Sequence, residues 1–304
     1  MKKAIISIAT IIGITLILTL IYYQNSEPTL PTDQLVQQNK TPQKQQEPEP
    51  LQPIGVTEKL GYSLQNDEVQ MTYDNGETWM KVPIEKQDLF EITYRGNEQE
   101  LEEGSFIFSE ELTGFLYSKA GNIVFHYSRD KGETWQEAIV RNSPFPMRFR
   151  KIDFIDSSFG YAIFTGDKAM SQEESFVYLT FNGGETWQKT NHPGVTRLIA
   201  DGGFVDHQTG FLSFGILNPE APELHVSQDG GKSWTKAQIN MPNKYDRVFV
   251  IAEVPFIEDD HLALLIHQGR SGDYMGGKVK GKFISKDNGL TWEFLMEVEP
   301  NEEA

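Results

Sequence analysis

Between residues 56 and 300 the chain is a succession of short apolar or alternating runs cut by Asp, Asn and Gly. Residues 68–73, 175–181 and 224–227 read as strands entering a turn, and residues 79–82 as a strand leaving one. Further apolar strands are predicted over residues 105–108, 152–155, 198–205 and 248–256. Each of the last four comes before a second strand. That strand opens on a glycine and an aromatic in Gly61-Tyr62, Gly114-Phe115, Gly160-Tyr161 and Gly210-Phe211, whereas the fifth unit has His261-Leu262.

Upstream the pattern changes twice. Lys2 and Lys3 precede an uninterrupted, mostly apolar run over residues 4–23, the length a helix needs to cross roughly 30 Å of hydrocarbon. It is longer than a signal-peptide core, and no small-residue cleavage site follows Tyr22-Tyr23-Gln24. The lysines place that end in the cytoplasm. The expectation is a single-pass anchor over residues 1–23 with the rest outside the cell membrane; secretion after signal cleavage is the alternative. Residues 24–55 are rich in Gln, Pro, Glu and Thr, with prolines at 28, 31, 42, 48, 50 and 53. Such a stretch buries too little to fold and is expected to be a disordered spacer. Residues 56–300 would be the folded domain and 301–304 a tail.

Within that domain one octapeptide recurs five times: residues 72–79 (Thr-Tyr-Asp-Asn-Gly-Glu-Thr-Trp), 128–135 (Ser-Arg-Asp-Lys-Gly-Glu-Thr-Trp), 180–187 (Thr-Phe-Asn-Gly-Gly-Glu-Thr-Trp), 227–234 (Ser-Gln-Asp-Gly-Gly-Lys-Ser-Trp) and 285–292 (Ser-Lys-Asp-Asn-Gly-Leu-Thr-Trp). The shared positions are Asp74, Gly76 and Trp79; Asp130, Gly132 and Trp135; Asn182, Gly184 and Trp187; Asp229, Gly231 and Trp234; and Asp287, Gly289 and Trp292. Glycine supplies the positive φ of a tight turn, and the Asx and hydroxyl side chains bond nearby backbone N–H groups. A tryptophan just past the turn can fold under the hairpin and donate its N–H. The unit is therefore a structural β-turn-β corner, remote from any reactive site.

These octapeptides resemble the Asp-box, or bacterial neuraminidase repeat, of β-propellers. The tryptophans fall 56, 52, 47 and 58 residues apart, the period of a four-stranded blade. The fold expected is all-β, a propeller of four-stranded antiparallel blades closing into a ring. Five blades are favoured and six are possible. The first is short, because only residues 53–60 are left for its inner strand.

Composition narrows the chemistry. Lys and Arg number 27 against 44 Asp and Glu, a net charge of −17, which disfavours nucleic acid or an anionic membrane surface as main partner. With no cysteine there is no disulfide, thiolate metal site, cysteine nucleophile or lipoprotein anchor. The six histidines lack zinc-site spacing, no calcium loop occurs, and no cofactor is implied. The sialidases that carry this repeat have an Arg-Ile-Pro motif ahead of the first box and an arginine triad. Here Arg-Ile-Pro is missing and no arginine precedes Arg95, so a non-enzymatic reading is preferred. Asp156, Asp206, Asp259 and Asp260, each just before a second strand, read as turn residues.

One constellation points to a ligand. Arg148, Arg150 and Lys151 start the inner strand of the third unit, with Arg197 and Arg247 at the equivalent places in the fourth and fifth. In a propeller these strand starts surround one mouth of the central channel, so the arginines either converge on a carboxylate or phosphate or each pair with a nearby acid such as Asp153, Asp201 or Asp246. The glycine-rich loop over residues 269–277 is expected to join two strands of the fifth blade and to offer Tyr274 and Met275 to a ligand. The repeats resemble those of the photosystem II assembly factors and sortilin-type receptors more than those of sialidases. That resemblance implies a docking module for an envelope protein or peptide. The alternatives are a module for an anionic polysaccharide of the envelope or a sialidase-like glycoside hydrolase.

Overall fold

The computed structural model describes residues 50–90, 98–142 and 147–299, with no side-chain account of residues 167 and 168. Leu51–Ala304 forms one compact unit. The expected anchor and most of the expected spacer lie outside the described residues. Among those described, no helix is long and apolar enough to cross a membrane.

Five sheets follow one another along the chain. The first holds β1 (Ile54–Gly55), β2 (Gly61–Ser63), β3 (Glu68–Thr72) and β4 (Met80–Glu85). The second holds β5 (Phe106–Phe108), β6 (Thr113–Lys119), β7 (Asn122–Ser128) and β8 (Gln136–Asn142), and the third β9 (Arg150–Phe154), β10 (Gly160–Ala169), β11 (Gln172–Thr180) and β12 (Gln188–Lys189). The fourth holds β13 (Ile199–Phe204), β14 (Gly210–Phe214), β15 (Glu223–Ser227) and β16 (Thr235–Lys236). Each of these four has the simple order inner to outer that a propeller blade requires. The fifth differs at both edges. Its inner strand is broken into β18 (Ile251–Ala252) and β19 (Phe256–Glu258), both paired to β20 (His261–His267). Pro255 falls in the break, and proline has no N–H to give the ladder. Beyond β21 (Lys280–Ser285) and β22 (Thr291–Val298), β17 (Gln238–Asn240) adds in parallel to β22. That added strand was not expected.

The glycine before each aromatic has a packing reason. Gly160 pairs with Phe154 and Gly210 with Phe204 on the neighbouring inner strand. A Cβ at either glycine would stand 2.7 Å or 2.5 Å from the opposing ring. The ring therefore lies across a strand that only glycine leaves bare.

Alternate residues of successive sheets interlock as four buried clusters. Val69, Met71 and Val82 meet Phe115 and Tyr117 between the first and second sheets, and Leu116 and Phe125 meet Ala162 and Phe164 between the second and third. Tyr161, Ile163 and Val177 meet Leu212 and Phe214 at the next interface. Phe211 and Val226 meet Leu264, Phe283 and Trp292 at the last. Among the described residues no such cluster joins the fifth sheet to the first. Their remaining faces carry ion pairs instead: Lys282–Glu258 and Lys280–Glu253, both at 2.6 Å, on the fifth, and Lys81–Glu68 at 2.6 Å on the first.

The repeated turns share one set of bonds. In the first, Thr72 Oγ1 accepts from Gly76 N at 2.8 Å and donates to Asp74 Oδ1 at 2.7 Å, and Asp74 accepts from the backbone and hydroxyl of Thr78. The same bonds recur around Asp130, Asp229 and Asp287. Trp135, Trp187 and Trp292 donate Nε1–H to the turn glycine carbonyl, whereas Trp234 donates to Asn191 O. Asn182 keeps the geometry as an amide, accepting from Thr186 N at 3.0 Å and donating to Thr186 Oγ1 at 3.0 Å.

The Thr78 hydroxyl and backbone N–H hold the Asp74 carboxyl at a pKa of about 2, and Thr134 does the same for Asp130, again about 2. Both values lie below the ~3.9 of an unfolded aspartate. Their stabilisation is therefore complete above about pH 4 and is lost as the pH falls through about 2. The third turn, with its amide, has no such dependence. Asn182→Asp is accordingly expected to lower the urea midpoint relative to wild type as the pH falls from about 4 to about 2. Parallel pH profiles for the two proteins would show that this turn does not couple to titration.

Candidate functional site

The loops at one end of the sheets enclose a cleft of about 710 Å³. Its wall takes Arg148 from the start of the third sheet, Ile199 from β13, residues 216–219 from the β14–β15 loop, Arg247 and Val250 from ahead of β18, and residues 267–274 from β20 and the loop after it. Of the five side chains expected at a ligand site, this cleft brings together Arg148, Arg247 and Tyr274. Arg150 and Arg197 are not in its lining.

Burial and pairing explain the division. Arg150 is 4% exposed, donates to Leu89 O and lies 3.4 Å from a Glu102 carboxylate oxygen. It ties the third sheet to the segment leaving the first. Arg148 Nε donates to Glu173 Oε2 at 2.7 Å and its Nη2 to Ile199 O at 2.7 Å, while the fully buried Glu173 also accepts from Ile199 N at 2.9 Å. Its charge is therefore spent inside the protein. Arg197 pairs with Glu223, which is largely buried. Among the described residues Arg247 has only Glu220, at 3.8 Å, with both side chains mostly in solvent, and it sits at φ 60°. The four arginines do not converge on one point, because acids distant in sequence claim three of them.

The loop over residues 269–277 does join β20 to β21, as expected. Tyr274 lines the cleft but its hydroxyl donates to Glu297 Oε1 at 3.0 Å, which raises the tyrosine pKa, and Met275 is 65% exposed. Sequence reasoning passed over Arg270, in the same loop, and Gln268. Gln268 is 5% exposed and donates to Tyr274 O and Val279 O, both at 2.9 Å, while its Oε1 has no donor. A lone arginine in a glycine-rich stretch was the only available signal. Burial lowers the pKa of His267, also in the lining, so its imidazole is neutral at neutral pH.

A second hollow of about 460 Å³ lies along the inner strands β5, β9 and β13, with Glu103, Lys151, Asp153 and Asp201 in its lining. Lys151 Nζ donates to Asp201 at 2.8 Å, and the Tyr161 hydroxyl to Asp153 at 3.3 Å. Two of the four acids ahead of the second strands serve turns: Asp156 accepts from Ser158 N and Phe159 N, and Asp206 from Gln208 N and Thr209 N. Among the described residues no group of three or more His, Asp or Glu is placed to hold a metal.

No curated protein sequence matches the chain. Several solved structures resemble it at low identity. A GH74 xyloglucanase from Xanthomonas campestris is 14% identical with a TM-score of 0.42, over 75% of this chain and 34% of that one. The NanB sialidase of Streptococcus pneumoniae is 13% identical with a TM-score of 0.36, over 67% and 32%. A protein of unknown function from Dyadobacter fermentans is 13% identical with a TM-score of 0.41, over 82% and 71%. The chain thus spans about a third of the length of the xyloglucanase and of the sialidase. In sequence, residues 34–272, well over half the chain, match the DUF6242 beta propeller domain, and the chain belongs to that family.

Proposed function

We propose that the chain is a membrane-tethered, extracytoplasmic binding module of the Asp-box type, which docks an envelope protein at the cleft between its fourth and fifth blades. The observation that carries this reading is the make-up of the cleft. Connecting loops with an exposed arginine form it, as suits a docking surface held on a rigid scaffold. The five repeated turns, each closed by its own Ser or Thr and Asx side chains, support the Asp-box assignment. The apolar run over residues 4–23 and the proline-rich stretch after it would serve as tether and spacer.

A glycoside hydrolase would draw on the carboxylates of a third hollow, Asp206, Asp259 and Asp260, or on those of the second, Glu103, Asp153 and Asp201. Asp201 is ion-paired to Lys151 there, which suits structure more than proton transfer.

The test is to mix soluble Leu51–Ala304 with envelopes of the source cell, before and after protease treatment, and to pellet them. Binding is expected to disappear after proteolysis. Binding that survives would overturn the protein-partner reading and move an envelope polysaccharide ahead.

A further inference from the structure

The charge around the cleft is unevenly committed. Arg148, Arg247 and Arg270 line it against one acid, Asp273. Glu173 neutralises Arg148 from behind. Arg247 is 70% exposed and 3.8 Å from a Glu220 that is itself 78% exposed, a pairing too loose and too solvated to hold either group. Arg270 is exposed and makes no hydrogen bond or ion pair among the described residues. Two guanidinium groups are therefore open to a ligand in a chain of net charge −17.

The same lining carries aliphatic side chains. Ile199, Val250 and Ile251 are buried beneath it, and Leu217, 51% exposed, lines it together with Pro219. Tyr274 is the only Phe, Tyr or Trp among the lining residues, and its hydroxyl is engaged by Glu297. A sugar-binding groove draws on several exposed aromatic faces, and this cleft offers only that of the half-buried Tyr274. An aliphatic side chain flanked by carboxylates fits both parts of the wall.

We propose that the cleft recognises an extended polypeptide segment with acidic side chains on either side of an aliphatic one. Arg247 and Arg270 pair with the carboxylates, and Leu217 and Pro219 receive the aliphatic group. This rests on the docking-module reading and gives its partner a chemistry. Planar guanidinium groups bind carboxylates through two parallel N–H bonds, and exposed pairs of this kind weaken as salt is added.

The experiment measures fluorescence anisotropy of a labelled peptide of alternating glutamate and leucine with Leu51–Ala304. The peptide is expected to bind, and a glutamine–leucine peptide to bind at least about tenfold more weakly. The double variant Arg247→Gln/Arg270→Gln is expected to lose at least about tenfold in affinity, and raising salt from about 0.05 to about 0.5 M to weaken wild-type binding. Arg197→Gln, at an exposed arginine outside the cleft, is expected to bind as wild type. Equal binding of the two peptides, an unchanged double variant, or an equal loss in Arg197→Gln would overturn the proposal. So would binding of an oligogalacturonate in place of the acidic peptide. The envelope assay separates this failure from that of the broader reading. If the double variant still captures a protease-sensitive partner, docking is real but lies elsewhere.

Discussion

Replacing Trp292 by alanine is expected to destabilise the Leu51–Ala304 unit by about 3–5 kcal/mol, measured as the shift of a urea transition followed by circular dichroism. Trp292 is the one repeat tryptophan with no exposed surface, and it packs edge-on to Phe211 across the interface between the fourth and fifth sheets. Its Nε1–H also closes the fifth turn on Gly289 O at 2.9 Å. Deleting the ring removes a large buried surface, opens a cavity and frees that carbonyl together. Trp234 holds the same sequence position but is only partly buried and bonds Asn191 O in a solvent-exposed setting. Trp234→Ala should cost about 1 kcal/mol. Equal losses from the two substitutions would mean that the turn, and not the interface between sheets, sets the value of the residue.

The second large effect is expected at Glu173. Its fully buried carboxylate holds the Arg148 guanidinium and the Ile199 N–H, so it fastens the third sheet to the fourth at the edge of the cleft. Glu173→Ala should cost about 3–5 kcal/mol, because it strands a partly buried guanidinium and an amide without their acceptor. Replacing both Arg148 and Glu173 by methionine should recover much of the loss, since no uncompensated charge is left. A Glu173→Ala protein within about 1 kcal/mol of wild type would show that water replaces the carboxylate. Where Glu173→Ala remains folded, Arg148 regains a free charge in the cleft wall, and the acidic peptide should bind it more tightly.

The sequence by itself determined what is built from neighbouring residues. The hydrogen bonds shared by the repeated turns, the Ser or Thr hydroxyl to the glycine N–H and the Asx carbonyl or carboxylate oxygen to the next Ser or Thr N–H, span four residues or fewer. Eight contiguous letters therefore specify each corner, and the spacing of the corners specifies the number of sheets and, in four of the five, their four strands. The glycine of the Gly-aromatic marker was visible too, although its reason, an opposing phenylalanine ring, required the pairing of strands. Tertiary structure decided the rest. Arg148 finds its acid 25 residues away, and Arg150 its carbonyl acceptor 61 residues away. Nothing local in the chain distinguishes these paired arginines from the exposed Arg247 and Arg270. The short β17 joins β22 across about 50 residues, and the ion pairs on the two terminal faces depend on which strand lies beside which. The cleft draws its lining from separate segments between Arg148 and Tyr274. Local sequence fixes turns because their partners are bonded neighbours; it does not fix which charges are spent, because that depends on what folding brings alongside them.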